Sequence, residues 1–381
     1  MPERSSNIPK VDPQEILDGI QKWVEIETPT YEGDAVNILV DEVEESMKAL
    51  GANIDRTPGK DGFGNILRTR TPWGGDGPGI LVLSHLDTVH PIGSKEDYNP
   101  WRREGDSVYG PGIYDMKAGA YLAYYAYQHL VRMGKQTPLP VTFMYIPEEE
   151  IGSPTSRALI EEEAKKHKYV LVTEPAREGG KIVTGRKGVG RFEARTHGVA
   201  AHSGSRHQDG RSAIQEMARV ILAIDGMTDY DLGVTTNVGI VKGGSGVNVI
   251  SHECYAEIDL RVPNPELAAE YEAKILGLTA ENPDVKLEIT GGINRPPYEK
   301  DEGIQSLFEH ARDLCAEIGF ELEDMHTGGG SDGCFTAALG IPTLDGLGAD
   351  GVGAHAQNEQ IYFSSLEPRA KMWIRLLETL E

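Results

Sequence analysis

His85 and Asp87 close an apolar run, in Ser84-His85-Leu86-Asp87-Thr88. A spacing of two on an extended chain puts both side chains on one side. Glu148-Glu149-Glu150 follows a second apolar run that ends at Ile146, and Glu174 follows a third that ends at Val172. Asp115 stands where a long helical pattern opens, in Gly112-Ile113-Tyr114-Asp115-Met116-Lys117. In open α/β sheets, ligands bind beyond the carboxyl ends of strands. Acidic side chains gathered there repel one another unless a cation neutralises them. His355, in Gly353-Ala354-His355-Ala356, adds a second imidazole. Two histidines with three carboxylates suit zinc, or its relatives cobalt and manganese. Five ligands exceed what one zinc takes, but fit two metals about 3.5–4 Å apart that share one carboxylate. Each residue alone has a plainer reading: strand-end histidines and aspartates serve as caps, and acids favour helix starts. The convergence at several strand ends is what favours a metal.

The positioning elements are legible. Asp12-Pro13 opens a helix with Ile16, Ile20 and Trp23 near helical spacing. A second helix follows Gly33, with Val36, Leu39, Val40, Val43 and Met47 on one face, and Gly51 closes it. Residues 65–68 predict a strand. The runs at 79–84, 141–146 and 169–172 read as strands buried on both faces, and 116–133 as a long helix. Such alternation predicts an α/β fold with a layered, mostly parallel sheet. Near Gly185 the pattern becomes strand (188–196), helix (211–224), two strands (234–241 and 253–262), helix (265–278) and strand (285–289). This is the order of a ferredoxin-like α+β domain. After Pro296-Pro297 the pattern returns to helix (304–318) and short strands. The expectation is a catalytic domain in two parts, 1–185 and 298–381, with a lid domain, 186–297, inserted between them.

Three stretches together resemble the co-catalytic zinc peptidases and deacylases: His85-Leu86-Asp87-Thr88-Val89, Tyr109 to Lys117, and Glu148-Glu149-Glu150-Ile151-Gly152. That superfamily includes glutamate carboxypeptidase, acetylornithine deacetylase, succinyl-diaminopimelate desuccinylase and aminoacylase. The resemblance runs from about residue 60 to the C-terminus. It implies a hydrolase with two divalent ions, zinc first, cobalt or manganese as alternatives. The implied ligands are His85, Asp115, Glu150, Glu174 and His355, with Asp115 bridging. Glu149 would be the general base, and Asp87 would hold the His85 ring in its tautomer. Glu148 replaces the family's usual aspartate.

In the inserted domain, Gly198 to Gly204 is similar to the family's lid motif, and implies that His202 reaches the active site of a partner subunit in a homodimer. Asn248, Arg261, Arg295 and the loop Thr327 to Gly333, with Gly329 and Gly330, resemble the glutamate carboxypeptidase branch. Arginines there would take a substrate carboxylate in a bidentate fork. The expected reaction is hydrolysis of an amide beside a free carboxylate, by an exopeptidase releasing a C-terminal amino acid. An N-acyl-amino-acid deacylase is the alternative.

Other readings are weaker. Gly329-Gly330-Ser331-Asp332-Gly333 satisfies the serine-hydrolase elbow, yet Ser331 and His355 stand too close in sequence for that fold. A non-catalytic binding homologue would be expected to lack a ligand or the base, and every position is present. The 381 residues carry 60 acidic and 37 basic side chains, a formal charge of −23. Such a chain repels nucleic acid and anionic membranes. Three scattered cysteines exclude a disulfide framework, and no apolar run reaches the roughly 18 residues of a membrane span. With no secretory pattern in the first residues, the expectation is a cytoplasmic protein.

Overall fold

The computed structural model describes residues 8–75 and 77–381. The first seven residues, part of the segment read as lacking a secretory pattern, lie outside them. The chain divides into two compact units. The first is formed by residues up to Thr184, Lys300–His326 and Ser331–Glu381. The second comprises Gly185–Glu299 and Thr327–Gly330.

The first unit is built on a sheet that includes strands β1 (Asn53–Thr57), β2 (Ile66–Arg70), β3 (Gly79–His85), β4 (Val141–Ile146) and β5 (His167–Val172). Their order is β1-β2-β4-β3-β5, with Thr343–Leu344 at the edge beyond β5. β3 lies between β4 and β5 and is parallel to both, while β1 and β2 add an antiparallel edge. Every residue of β3 and β4 is buried, so their apolar runs have no solvent face. Leu81, Leu83, Met144, Ile146, Val170 and Val172 pack into one core with Ile160 and Phe335.

Helix α1 (Pro13–Val24) starts where Asp12 caps the Gln14 N–H, and α2 (Gly33–Ala49) ends just before Gly51, whose φ is 79°. The helix α3 (Ala118–Arg132) begins later than the sequence pattern predicts. Asp115 and Met116 have non-helical backbone angles, so Asp115 stands on a turn before the helix and not in its first turn. The edge strand β1 escaped the sequence pattern because Asn53-Ile54-Asp55-Arg56-Thr57 offers only one apolar side chain.

β5 opens on His167, whose two ring nitrogens are buried without hydrogen-bond partners among the described residues. Burial lowers its pKa to about 4, against the pull of Glu163 at 3.6 Å. The unfolded chain therefore binds the extra proton between about pH 6.5 and 4, and the associated stability is complete above that window and lost as pH falls through it. The size is on the order of 3 kcal/mol. Replacing His167 with leucine should flatten the fall in melting temperature between about pH 7 and pH 5. An equal fall in both proteins would contradict this.

In the second unit, β6 (Gly188–His197), β7 (Thr235–Gly243), β8 (Glu253–Val262) and β9 (Lys286–Arg295) form an antiparallel sheet in the order β7-β8-β6-β9. Helices α4 (Ala213–Asp225) and α5 (Pro265–Leu276) cover one face through Met217, Val220, Ile224, Tyr271 and Ile275. The β-α-β-β-α-β order with this strand arrangement is the ferredoxin-like fold. β9 is longer than its apolar pattern, because Gly291-Gly292 interrupts that pattern but not the pairing.

Candidate metal centre

Three parallel strands deliver most of the site. β3 ends at His85, β4 ends two residues before Glu148, and β5 ends two residues before Glu174. Because β3 pairs with both neighbours in parallel, these carboxyl ends share one edge of the sheet. The turn Ile113–Lys117 brings Asp115 to the same edge. Gly112 allows this turn: its φ is 70°, and a Cβ there would meet Thr88 Cγ2 at 2.4 Å. His355 completes the group.

The two oxygens of Asp115 face different partners. Oδ1 lies 3.1 Å from His85 Nε2, which is also 3.8 Å from Glu174 Oε1. Oδ2 lies 3.5 Å from His355 Nε2, which is 3.0 Å from Glu150 Oε2. The five residues thus fall into two halves hinged on one carboxylate. Grouped by ligand-atom separation alone, His85 stands with Glu149 and Glu174, and with Asp115 and Glu150, within 4.8 Å. The two descriptions differ in how they divide one continuous cluster. The Asp115 split accounts for all five residues and both imidazoles. It also leaves Glu149 beside the cluster, with a carboxylate oxygen within 4.8 Å of ligand atoms of His85 and Glu174.

The electrostatics fit a cation site. Burial opposes charge on His85, but hydrogen bonds with Asp115 and Asp87 raise its pKa well above the usual value. Hydrogen bonds to Asp115 and Glu150 push His355 up to about 11. Burial and the nearby Asp115 carboxylate push Glu150 up to about 8. Burial works against the charge of Asp115 too, but its hydrogen bonds to the two imidazoles hold it well below the carboxylate range. These shifts mark a site that favours positive charge, and a divalent ion competes with protons for such ligands. Glu150 Oε1 is buried without a hydrogen-bond partner among the described residues, as expected of an oxygen kept for a ligand. Imidazole and carboxylate donors suit a divalent ion of the zinc, cobalt or manganese kind.

Several residues hold this arrangement. Asp87 is fully buried and acts as a hub. Its Oδ1 accepts from the Glu149 N–H at 3.1 Å, and Oδ2 accepts from the Glu150 N–H at 3.3 Å and the Thr30 hydroxyl at 2.7 Å. His85 Nδ1 is 3.0 Å from the Asp87 carbonyl oxygen and 3.4 Å from its Oδ1. The ring's outer nitrogen is therefore fixed chiefly by main chain, with the carboxylate behind it. Glu148, read from sequence only as a replaced aspartate, is a buried anchor. Its Oε1 accepts from the Thr155 N–H and from the hydroxyls of Thr155 and Ser156.

Glu359 escaped the sequence analysis. It is fully buried, and its carboxylate accepts the N–H groups of Gly112, Tyr114 and Asp115 at 2.7, 2.7 and 2.8 Å, with His90 Nε2 at 2.6 Å. It fixes the turn that presents Asp115. Glutamine offers one acceptor oxygen and an amide that faces these donors. Glu359→Gln should therefore cost roughly 10–100-fold in metal affinity or activity, measured by metal titration beside kcat. Wild-type values of both would refute the role.

The remaining predicted residues lie in the second unit. His202 and Asn248 are exposed neighbours on a short ribbon, where Ser203 N–H donates to the Asn248 carbonyl oxygen. His202 Nδ1 accepts the N–H groups of Gly204 and Ser205. Arg261 grips Asp259 with two hydrogen bonds, at 2.8 and 2.9 Å, and reaches the Gly328 carbonyl oxygen at 3.3 Å. Arg295 is buried, so it is no surface salt bridge. It packs so closely on Gly330 that a Cβ there would lie 2.8 Å from Arg295 Cδ. Arg186, also missed from sequence, is buried and donates to the carbonyl oxygens of Gly329 and Gly330.

Ser331 is no nucleophile. It is fully buried, donates to Asp345 Oδ2 at 2.5 Å and accepts the Gly333 N–H. His355 meanwhile faces Glu150 and Asp115. The serine-hydrolase reading fails on both counts.

Comparison with known proteins shows the family of this chain. Residues 81–379 match the model of peptidase family M20/M25/M40. The chain is 30% identical to carboxypeptidase G2 of Pseudomonas sp. (strain RS-16), over 96% of this chain and 89% of that protein. It is 28% identical to a probable carboxypeptidase of Arthroderma benhamiae, over 58% of this chain and 51% of that one. Its fold is similar to that of aminopeptidase PepT from Bacillus cereus, with a TM-score of 0.78 at 22% identity, covering 97% and 98% of the two chains. It is also similar to an M20 family metallo-carboxypeptidase from Sulfolobus solfataricus, with a TM-score of 0.74 at 19% identity, covering 97% and 99%. A chain matched along most of its length, with a cluster of candidate metal ligands, is a hydrolytic enzyme of the M20/M25/M40 metallopeptidase family.

Proposed function

We propose that this enzyme is a carboxypeptidase that removes a C-terminal amino acid by hydrolysing the amide next to its free carboxylate. The resemblance to carboxypeptidase G2 along nearly the whole chain is the observation that carries this specificity. His85, Asp115 and Glu174 would hold one ion, and His355, Asp115 and Glu150 the other, with zinc the first candidate. Such a pair supplies Lewis acidity, which acidifies water and polarises a carbonyl. Glu149 takes the proton of the attacking water and delivers it to the leaving amine. Asp87 supports this twice, through the N–H of Glu149 and through the ring of His85.

Substrate binding falls to the second unit. Arg261 and Arg295 stand beside the loop 328–330, and a guanidinium binds a carboxylate through its N–H donors; Arg261 would do so with the donors that Asp259 leaves over. In a protein of formal charge −23, attraction for a carboxylate must be local. Asn248 and His202 add donors, His202 acting from the partner in a homodimer formed through the second unit. Three buried cysteines, none of them in a disulfide among the described residues, suit a reducing, cytoplasmic setting. Among the described residues, no helix is long and apolar enough to cross a membrane.

The test is a panel of dipeptides, longer peptides and N-acyl amino acids, assayed for released amino acid with and without a chelator. Chelator-sensitive release from peptides is expected. Turnover confined to N-acyl amino acids would favour the deacylase, and turnover resistant to chelator would refute the metal mechanism.

A further inference from the structure

Arg177 is a cation that the centre described above leaves unexplained. It stands three residues after Glu174. Its backbone is pinned in a tight hairpin, with its N–H donating to the Lys181 carbonyl at 2.8 Å and its own carbonyl accepting from Lys181 at 2.7 Å. The preceding Ala176 is held by Ala349 and by the Tyr114 hydroxyl. The side chain is 25% exposed, and its Nη2 lies 3.8 Å from Glu174 Oε2. The other oxygen of Glu174, Oε1, is the one near His85. A separation of 3.8 Å is too long for a hydrogen bond. The buried Nε of Arg177 has no hydrogen-bond partner among the described residues.

Two costs attach to this placement. A guanidinium has five donors, and burying one of them without an acceptor is unfavourable. A positive charge beside a cation-binding cluster also works against the metal. An anion that reaches the guanidinium from its open side removes both costs. We propose that Arg177 is a specificity-determining residue that receives a carboxylate of the substrate beside Glu174. The proposal rests on the hydrolase reading and adds to it: carboxylate recognition is then not confined to the second unit. The carboxylate belongs either to the side chain of the released residue or to the acyl part, and bidentate pairing serves both.

The test compares the metal-loaded wild type with Arg177→Met and Arg177→Lys. Two matched substrate pairs are used: glutamate against glutamine as released residue, and an acyl-side carboxylate against its carboxamide. Binding of glutarate is measured by calorimetry, and metal content by elemental analysis. In the methionine variant, kcat/KM for the acidic member of one pair should fall by at least about tenfold, through KM. The neutral member and the metal content should hold, glutarate binding should weaken, and lysine should recover part of the loss. Which pair responds identifies the carboxylate. Equal losses on both members of each pair, or unchanged glutarate binding, would overturn the proposal. If the wild type cleaves nothing, the hydrolase reading fails, and glutarate binding still decides the role of Arg177.

Discussion

Replacing Glu149 with alanine is expected to lower kcat by about 10²–10⁴-fold while both metal ions stay bound. The side chain sits in the turn Glu149–Ile151, with its carboxylate close to His85 and Glu174. The two halves of the centre can be completed without it, because Asp115 divides its oxygens between the His85–Glu174 pair and the His355–Glu150 pair. Asp87 accepts from the backbone N–H of residue 149, not from its side chain, so the substitution leaves the support intact. Elemental analysis beside single-turnover kinetics reads both halves of the expectation. Loss of a metal ion together with activity would make Glu149 a ligand. Retained turnover would remove it from the mechanism.

The second large effect is at Asp115. Asparagine has the same shape but one acceptor oxygen and one donating amide. It can serve only one imidazole half, and it removes the charge that holds both. Asp115→Asn should leave one ion or fewer per chain and lower kcat by more than about a hundredfold. The helix behind it, α3, is anchored by its own buried face, so circular dichroism should be unchanged. An asparagine variant that binds two ions with wild-type affinity would contradict the shared-carboxylate arrangement.

Much of this was legible before any coordinates. The runs at β3, β4 and β5 are continuously apolar, and such strands lie parallel in the middle of an α/β sheet. Polar residues just beyond their carboxyl ends must then meet along one edge. That is why His85, Glu150 and Glu174 could be grouped from sequence. The structure brings Asp115 beside both imidazoles, but on a turn and not on the helix that the sequence pattern predicts. The turn that carries it depends on Glu359, an acceptor 244 residues away, and local sequence holds no trace of such a partner. Arg177, Arg186 and Arg295 illustrate the same limit. An arginine reads alike whether it sits on the surface or under a glycine loop, and only burial separates the two. Gly330 carried a faint signal, since clustered glycines mark close approach, but the neighbour that requires it is in another strand.

In the proposed function, two divalent ions held by five side chains hinged on Asp115 would make this chain a hydrolase of amides beside a carboxylate. The most direct test titrates the metal-stripped protein with zinc while following release of a C-terminal amino acid. Activity should rise and level off at two ions per chain. Full activity without added metal, or two ions bound with no release from any substrate of the panel, would contradict the account.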